Sequence, residues 1–234
     1  MGSRVGTEAA RDEMKTPRSG PLVYPLSLLT GTALVIVAAA LHPDLTGDGA
    51  AQLAMVARMD AWRAIHWAFL FGFVLSLVGL AGLAGMHAGT PGEGAARAGV
   101  TVGVLAYGAW SIVVAYMAGS GYALARSYVA AEPGLAATGA VFLYDMTHPF
   151  ALAAQRLGAF ALGASTSLLG WSVAQGRRLP RAWGWAGAAA GLVAMALAAG
   201  FGEATKADQA AFVLPVLWQA ACALRLLAGR TRAA

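Results

Sequence analysis

From Leu22 to Leu41 the chain carries no charged residue, and its polar interruptions are hydroxyl side chains such as Ser27, Thr30 and Thr32. A run of about 20 apolar residues is what an α-helix needs to cross the hydrocarbon core of a bilayer. In lipid, only a structure that satisfies its own backbone N–H and C=O groups is viable. Such runs recur at about 62–86, 98–119, 149–174, 183–201 and 208–228. Six of them predict an all-α fold: a polytopic transmembrane helix bundle. Composition agrees. Charged residues make up 12% of the chain, against about 25% in a soluble domain, too few to cover a globule in water.

The first run has a rival reading as a cleaved signal peptide, because Ala38-Ala39-Ala40 resembles a small-residue cleavage site. The mixed-charge leader before it and its full spanning length predict a retained helix. Residues 1–20 combine both charge signs with Gly, Ser and Pro, which predicts a disordered cytoplasmic tail. Residues 21–229 form the transmembrane domain, and 230–234 a second cytoplasmic tail.

Between the spans, Ala50 to Met59 reads as a short surface helix and Gly89 to Ala96 (GTPGEGAA) as a turn. Gly119-Ser120-Gly121 loosens the third span, whose outer extension ends by Glu132-Pro133-Gly134. Residues 135–147 are too short to span; they either cap the bundle or lie on the membrane. Pro149 suits the first turn of the fourth helix. Gln175 to Arg181 (QGRRLPR) is a tight basic turn.

Positive charge orients the bundle. With the N-terminus inside and six alternating spans, eleven basic residues fall inside and five outside (Arg58, Arg63, Arg126, Arg156 and Lys206). The expected topology is N-in/C-in, in a bacterial inner (cytoplasmic) membrane. Trp171, Trp183 and Trp185 then belong to the inner aromatic belt. Trp62, Trp67, Tyr122, Tyr128 and Tyr144 belong to the outer one. The net charge of +5 is explained by this topology, so no nucleic-acid partner is expected; the expected partner is the lipid bilayer. The single cysteine, Cys222, excludes an intrachain disulfide and a cysteine metal cluster.

The same topology gathers polar chemistry at the outer face. His42 ends the first span, His66 lies in the opening turns of the second, and His148 starts the fourth. His87 falls on the opposite side as a solvated loop residue. Asp145 and His148 are three apart, with Gln155 seven later, which predicts one shared helical face. Asp60, Arg63 and His66 step by three as a shallow polar ridge. Arg156 lies deeper, where an unpaired arginine costs about 2.5–3.5 kcal/mol; Asp60, Asp145 or Glu203 would pair it. Gln219, one turn after Pro215 and beside Trp218, is expected near the bilayer middle, facing the bundle interior.

Histidines with carboxylates make a plausible ligand set for a divalent metal, and two histidines from different helices can hold a haem iron axially. No CxxCH attachment is present, so a haem b would be non-covalent. The metal or haem candidates are His42, His66, His148 and Asp145, supported by Asp60, Arg63, Gln155, Arg156 and Gln219. The competing reading is interfacial: such residues are tolerated at helix ends because water reaches them. No HExxH, GxSxG, P-loop or GxGxxG motif appears. Other readings stay open. One is a small-solute transporter built on Gln219, Ser111 and Arg156. Another is an enzyme on a lipid-soluble substrate with a histidine base. A third is an accessory subunit, or a homo-oligomer, meeting its partner through glycine-rich helix faces.

Two patterns are longer than one helix turn. Ala68-Phe69-x-x-Gly72-x-x-x-Ser76-x-x-Gly79 is echoed by Ala159-Phe160-x-x-Gly163-x-x-x-Ser167-x-x-Gly170. This is either a parallel duplication or the small-residue spacing that lets helices approach closely, as Gly187-x-x-x-Gly191 also does. The second pattern is Leu41-His42-Pro43, a polar loop, then Trp62-Arg-Ala-Ile-His66. Over about the first 90 residues it resembles uncharacterised six-helix bacterial integral membrane proteins. The resemblance implies the same six-helix fold and carries no activity or site residues.

Overall fold

The computed structural model describes residues 22–132, 134–201 and 206–231; the 1–20 tail lies outside them. The helices are α1 (Val23–Leu41), α2 (Gly49–Arg58), α3 (Trp62–Gly85), α4 (Glu93–Tyr116), α5 (Tyr122–Ala130), α6 (Leu135–Gln175), α7 (Arg181–Gly200) and α8 (Lys206–Thr231). A π turn, Met117–Gly121, joins α4 to α5 without a break. Among the described residues six segments are long and apolar enough to cross a membrane. The fold is an all-α bundle of six candidate spans, the architecture of a multi-pass membrane protein. The most extensive pairings are α6 with α7, α4 with α6, and α1 with α3.

Several boundaries differ from the sequence expectation, each for a local reason. α4 begins at Glu93, inside the predicted turn. The Glu93 carboxylate accepts from the Gly89 amide at 2.7 Å and pairs with Arg97 at 2.5 Å, and an acid in the first turn complements the helix dipole. Residues 135–147 neither cap the bundle as a separate piece nor lie apart. They are the first part of α6, a 41-residue helix that runs straight through Pro149. Proline removes one i→i−4 bond, a loss that long membrane helices tolerate. At about 1.5 Å per residue α6 is about 60 Å long, twice a hydrocarbon core of about 30 Å. The last helix continues through Arg230, which the sequence assigns to a tail. The π turn falls where Gly119-Ser120-Gly121 was expected to loosen the helix.

The histidine end carries the loop after α1, α2, the π turn and α5, and the start of α6. Here α2 is capped by Asp48, whose Oδ1 accepts from the Ala51 amide at 2.9 Å. It turns Leu53 and Val56 into a satellite core with Trp62, Met117, Ala125 and Tyr144. Trp62 and Tyr144 therefore do not belong to an aromatic belt. Trp62 is fully buried, and its Nε1 donates to the Met117 carbonyl at 2.8 Å. Tyr144 is also buried and donates to Gln52 Oε1 at 2.8 Å. Trp67, Trp171 and Trp185 are exposed, as belt residues are.

The opposite end is stitched by glycine. A β-carbon on Gly79 would fall on the Leu28 backbone, one on Gly170 on the Ala188 amide, and one on Gly184 on the Ala174 amide. The two echoed motifs both lie in such seams, but with different partners. Gly72 and Gly79 pack on the preceding span, α1, whereas Gly163 and Gly170 pack on the following one, α7. A duplicated two-helix unit would keep the same partner, so the echo is a packing motif. Gly187 and Gly191 are likewise occupied inside the chain, by Trp218 and by Gly163 with Ser167.

His87 is the other correction at this end. It is buried at 4% exposure, its Nδ1 finds no partner, and Gly176 packs over its ring. Burial pushes its pKa below the ordinary 6.5, and Arg178 adds to the shift.

Candidate functional site

The helices that glycine draws together at one end are held apart at the other. Between α1, α3, α4, α6 and α8 lies a cavity of about 770 Å³. Its walls are apolar: Val35 and Ile36 of α1, Phe69 of α3, Trp110 and Val113 of α4, and Phe212 of α8 among them. Its mouth is polar and includes Asp44, Gln52, Gln155, Lys206, Asp208 and Gln209. His42, His66 and His148, from three separate segments, all line it. Small-molecule sites are of this size and kind, mostly apolar with a few convergent polar groups.

Each histidine is held by its neighbours. His66 is buried at 3% exposure. Its Nδ1 lies 2.7 Å from the Trp62 carbonyl, one turn back along α3. A carbonyl only accepts, so Nδ1 carries the proton and Nε2 is left as an acceptor. Nε2 has no partner among the described residues, and His66 lines the cavity. His42 packs on Trp62 and on His66, with ring centroids 5.0 and 5.2 Å apart. Burial pushes its pKa below 6.5, while the Pro43 backbone and the Asp44 carboxylate pull more weakly the other way. It is therefore neutral at pH 7, with an acceptor nitrogen of its own. His148, half-buried, stacks on Tyr144 at 4.6 Å.

The supporting residues sort themselves differently from their spacing. Asp145 is close enough for its charge to act on the His148 ring, but it does not line the cavity. It is exposed, and its carboxylate lies where a β-carbon on Gly49, at the start of α2, would go. Asp60 precedes α3 and is exposed, and Arg63 sits 5.9 Å over the Tyr122 ring. The expected ridge with His66 does not form. Steps of three advance about 300° each on a helix of 3.6 residues per turn, so two steps miss the starting face by about 120°.

Gln155 does line the cavity, where its Nε2 donates to Asp208 Oδ2 at 2.7 Å. Arg156, beside it, turns away. Its Nε and Nη2 donate to the Ala198 and Ala199 carbonyls at 2.6 and 2.9 Å, capping the C-terminal end of α7, where the helix dipole favours a cation. Of its expected partners, Glu203 lies outside the described residues. Gln219 faces the bundle interior as expected, fully buried. Its Oε1 accepts from Tyr107 at 2.8 Å and its Nε2 has no acceptor. It does not line the cavity, whose floor on α8 is Val216 and Leu217. Ser111 bonds back to the Tyr107 carbonyl at 2.7 Å. Gln219, Ser111 and Arg156 are not among the residues that line the cavity.

Sequence reasoning missed Asp208, Asp44 and Gln209 as site residues. Asp208 is 4% exposed and accepts from Gln155, and Gln209 donates to Asp44 at 3.2 Å. The available signal was an acid within the first turn of an apolar run, the same signal that marked His66. Among the described residues no group of three or more His, Cys, Asp or Glu is placed to hold a metal ion. No family model, curated protein or solved structure matches the chain.

Proposed function

We propose that this membrane-spanning chain is a ligand-binding protein that holds a small apolar molecule with a polar head in the cavity at its histidine end. The observation that carries the reading is the convergence of His42, His66 and His148 on one cavity of about 770 Å³ with apolar walls. The walls suit a hydrocarbon body, and the neutral imidazoles and the Gln155–Asp208 pair suit a head that hydrogen-bonds. A bare divalent ion fits less well, since among the described residues no third ligand stands beside the His42–His66 pair. With N-in topology in an inner membrane, the mouth opens outward.

Non-covalent haem is the second reading, favoured by His66 and His148 lining the same cavity from different helices. His42 and His66 cannot serve as its axial pair, because their rings touch. One preparation tests both. The detergent-purified chain is scanned oxidised and reduced, analysed for metals, and extracted into organic solvent for mass spectrometry. A near-stoichiometric apolar compound, absent from the His42→Ala/His66→Ala variant, supports the first reading. A reducible Soret band supports the second. An empty, colourless and folded preparation contradicts both.

A further inference from the structure

Four residues that line the cavity also lie on the outer surface of the bundle: Ile36 and Ala40 of α1, and Val213 and Leu217 of α8. Ile36 is 38% exposed, Val213 39% and Leu217 50%. A side chain borders a cavity and faces outward at once only where the wall is open. The gap between α1 and α8 is therefore a lateral opening at the level of the lipid tails. On the water side Asp44 reaches toward α8, where it accepts from Gln209 at 3.2 Å and lies 3.6 Å from Lys206 Nζ. An occupant that reaches the cavity through this gap is already dissolved in the bilayer.

The head of that occupant follows from the groups above the gap. His66 Nε2 is an acceptor with no partner among the described residues, and the His42 ring packs beside it. The buried Asp208 carboxylate is an acceptor in every state in which it is charged. The buried Asp208 carboxylate opposes an anionic head, while Asp44 is paired with Lys206. A head that only accepts, such as an ester or a quinone carbonyl, leaves the His66 Nε2 acceptor unmet. A neutral hydroxyl donates to it. The rings of Phe69, Phe212 and Trp110 form flat apolar walls beside the two imidazoles, which favours a planar head.

We infer that the cavity takes a bilayer-dissolved molecule with a hydroxyl-bearing aromatic head, a phenol or hydroquinone carrying an apolar tail, admitted between α1 and α8. This rests on the ligand-binding reading above and gives the class of ligand.

The test uses the full chain in nanodiscs, titrated with 2-decylhydroquinone and with its dimethyl ether, against empty nanodiscs. The two probes share ring and tail; the ether lacks the hydroxyl donors and is larger by two methyl groups, so the His66→Phe variant below separates loss of the donor from added bulk. Saturable binding of the hydroquinone is expected, with the ether at least about tenfold weaker, since each buried acceptor left unmet carries a penalty. His66→Phe, which keeps a ring and loses the acceptor, should erase the difference between the probes. Ile36→Trp/Val213→Trp should slow uptake of the hydroquinone from the bilayer. Equal binding of the two probes overturns the donor head, and unchanged uptake overturns the lateral route. If neither probe binds while the purified chain carries some other molecule, this inference falls and the ligand-binding reading stands.

Discussion

The two ends of this bundle are built from one alanine- and glycine-rich sequence, yet they pack in opposite ways. At the basic end, glycines bring backbone against backbone: Gly79 on Leu28, Gly170 on Ala188, Gly184 on Ala174. At the histidine end the same helices carry Trp62, Phe69, Tyr107, Trp110 and Phe212, whose rings stand between the backbones. Glycines at that end seat no helix backbone: Gly108, Gly119, Gly139 and Gly200 have open space where a β-carbon would go, and Gly49 faces only the Asp145 carboxylate. A bundle pinned closed at one end and propped open at the other encloses a cavity on the propped side. Tight seams give stability with no room for a ligand, and the propped end supplies that room.

This contrast can be broken from either side. The largest effect on stability belongs to the seams. Gly170→Leu forces a side chain onto the Ala188 amide, and with backbone on the far side the strain has nowhere to go. It should cost about 3 kcal/mol or more in unfolding measured in detergent. A loss below about 1 kcal/mol would mean the seam is loose.

Next is Trp62→Phe, which keeps the ring and removes the bond to the Met117 carbonyl across the π turn. It should cost about 1–3 kcal/mol. It should also weaken ligand binding, because His42 and His66 both pack on that indole. Smaller still is Gln219→Leu, at about 1 kcal/mol. Tyr107 loses a buried acceptor, but the amide that has no acceptor disappears as well. Ligand binding should be untouched, since Gln219 does not line the cavity.

The least effect is expected from acid. His42 and His87 are each held below 6.5 by burial, so between the folded and unfolded pKa values the unfolded chain binds more protons. Their contribution to stability is fully present above pH 6.5 and is lost as the pH falls below it. His87→Leu should remove the share of the basic end and leave binding alone. His42→Ala should remove the other share and weaken binding too. Identical pH profiles for the wild type and both variants would refute this division.

How much of this was legible in the sequence depends on the kind of signal. The spans were, because crossing a bilayer needs a run of about 20 apolar residues and leaves little freedom in where it starts. Pro149 was misread because the rule that places proline in a first turn describes soluble helices, while α6 keeps its remaining bonds on both sides of it. The Asp60–Arg63–His66 ridge failed on arithmetic, since steps of three drift around a helix of 3.6 residues per turn. His87 read as solvated because its neighbours are loop residues, but Gly176, almost ninety positions away, covers it.

Three histidines could be placed at one end from charge alone. That they line one cavity, and that Asp208 joins them while Asp145 does not, depends on the order of helices around the bundle, which no periodicity encodes.

The most direct measurement is native mass spectrometry of three forms of the chain released from detergent: wild type, Ala39→Phe and Gln219→Leu. Ala39 lines the cavity, so a phenyl group there fills space that the occupant needs, while Gln219→Leu alters the interior elsewhere. The expected result is a bound small molecule on the wild type and on Gln219→Leu, and none on Ala39→Phe. A wild type without any adduct, or an adduct that survives Ala39→Phe, would contradict the account.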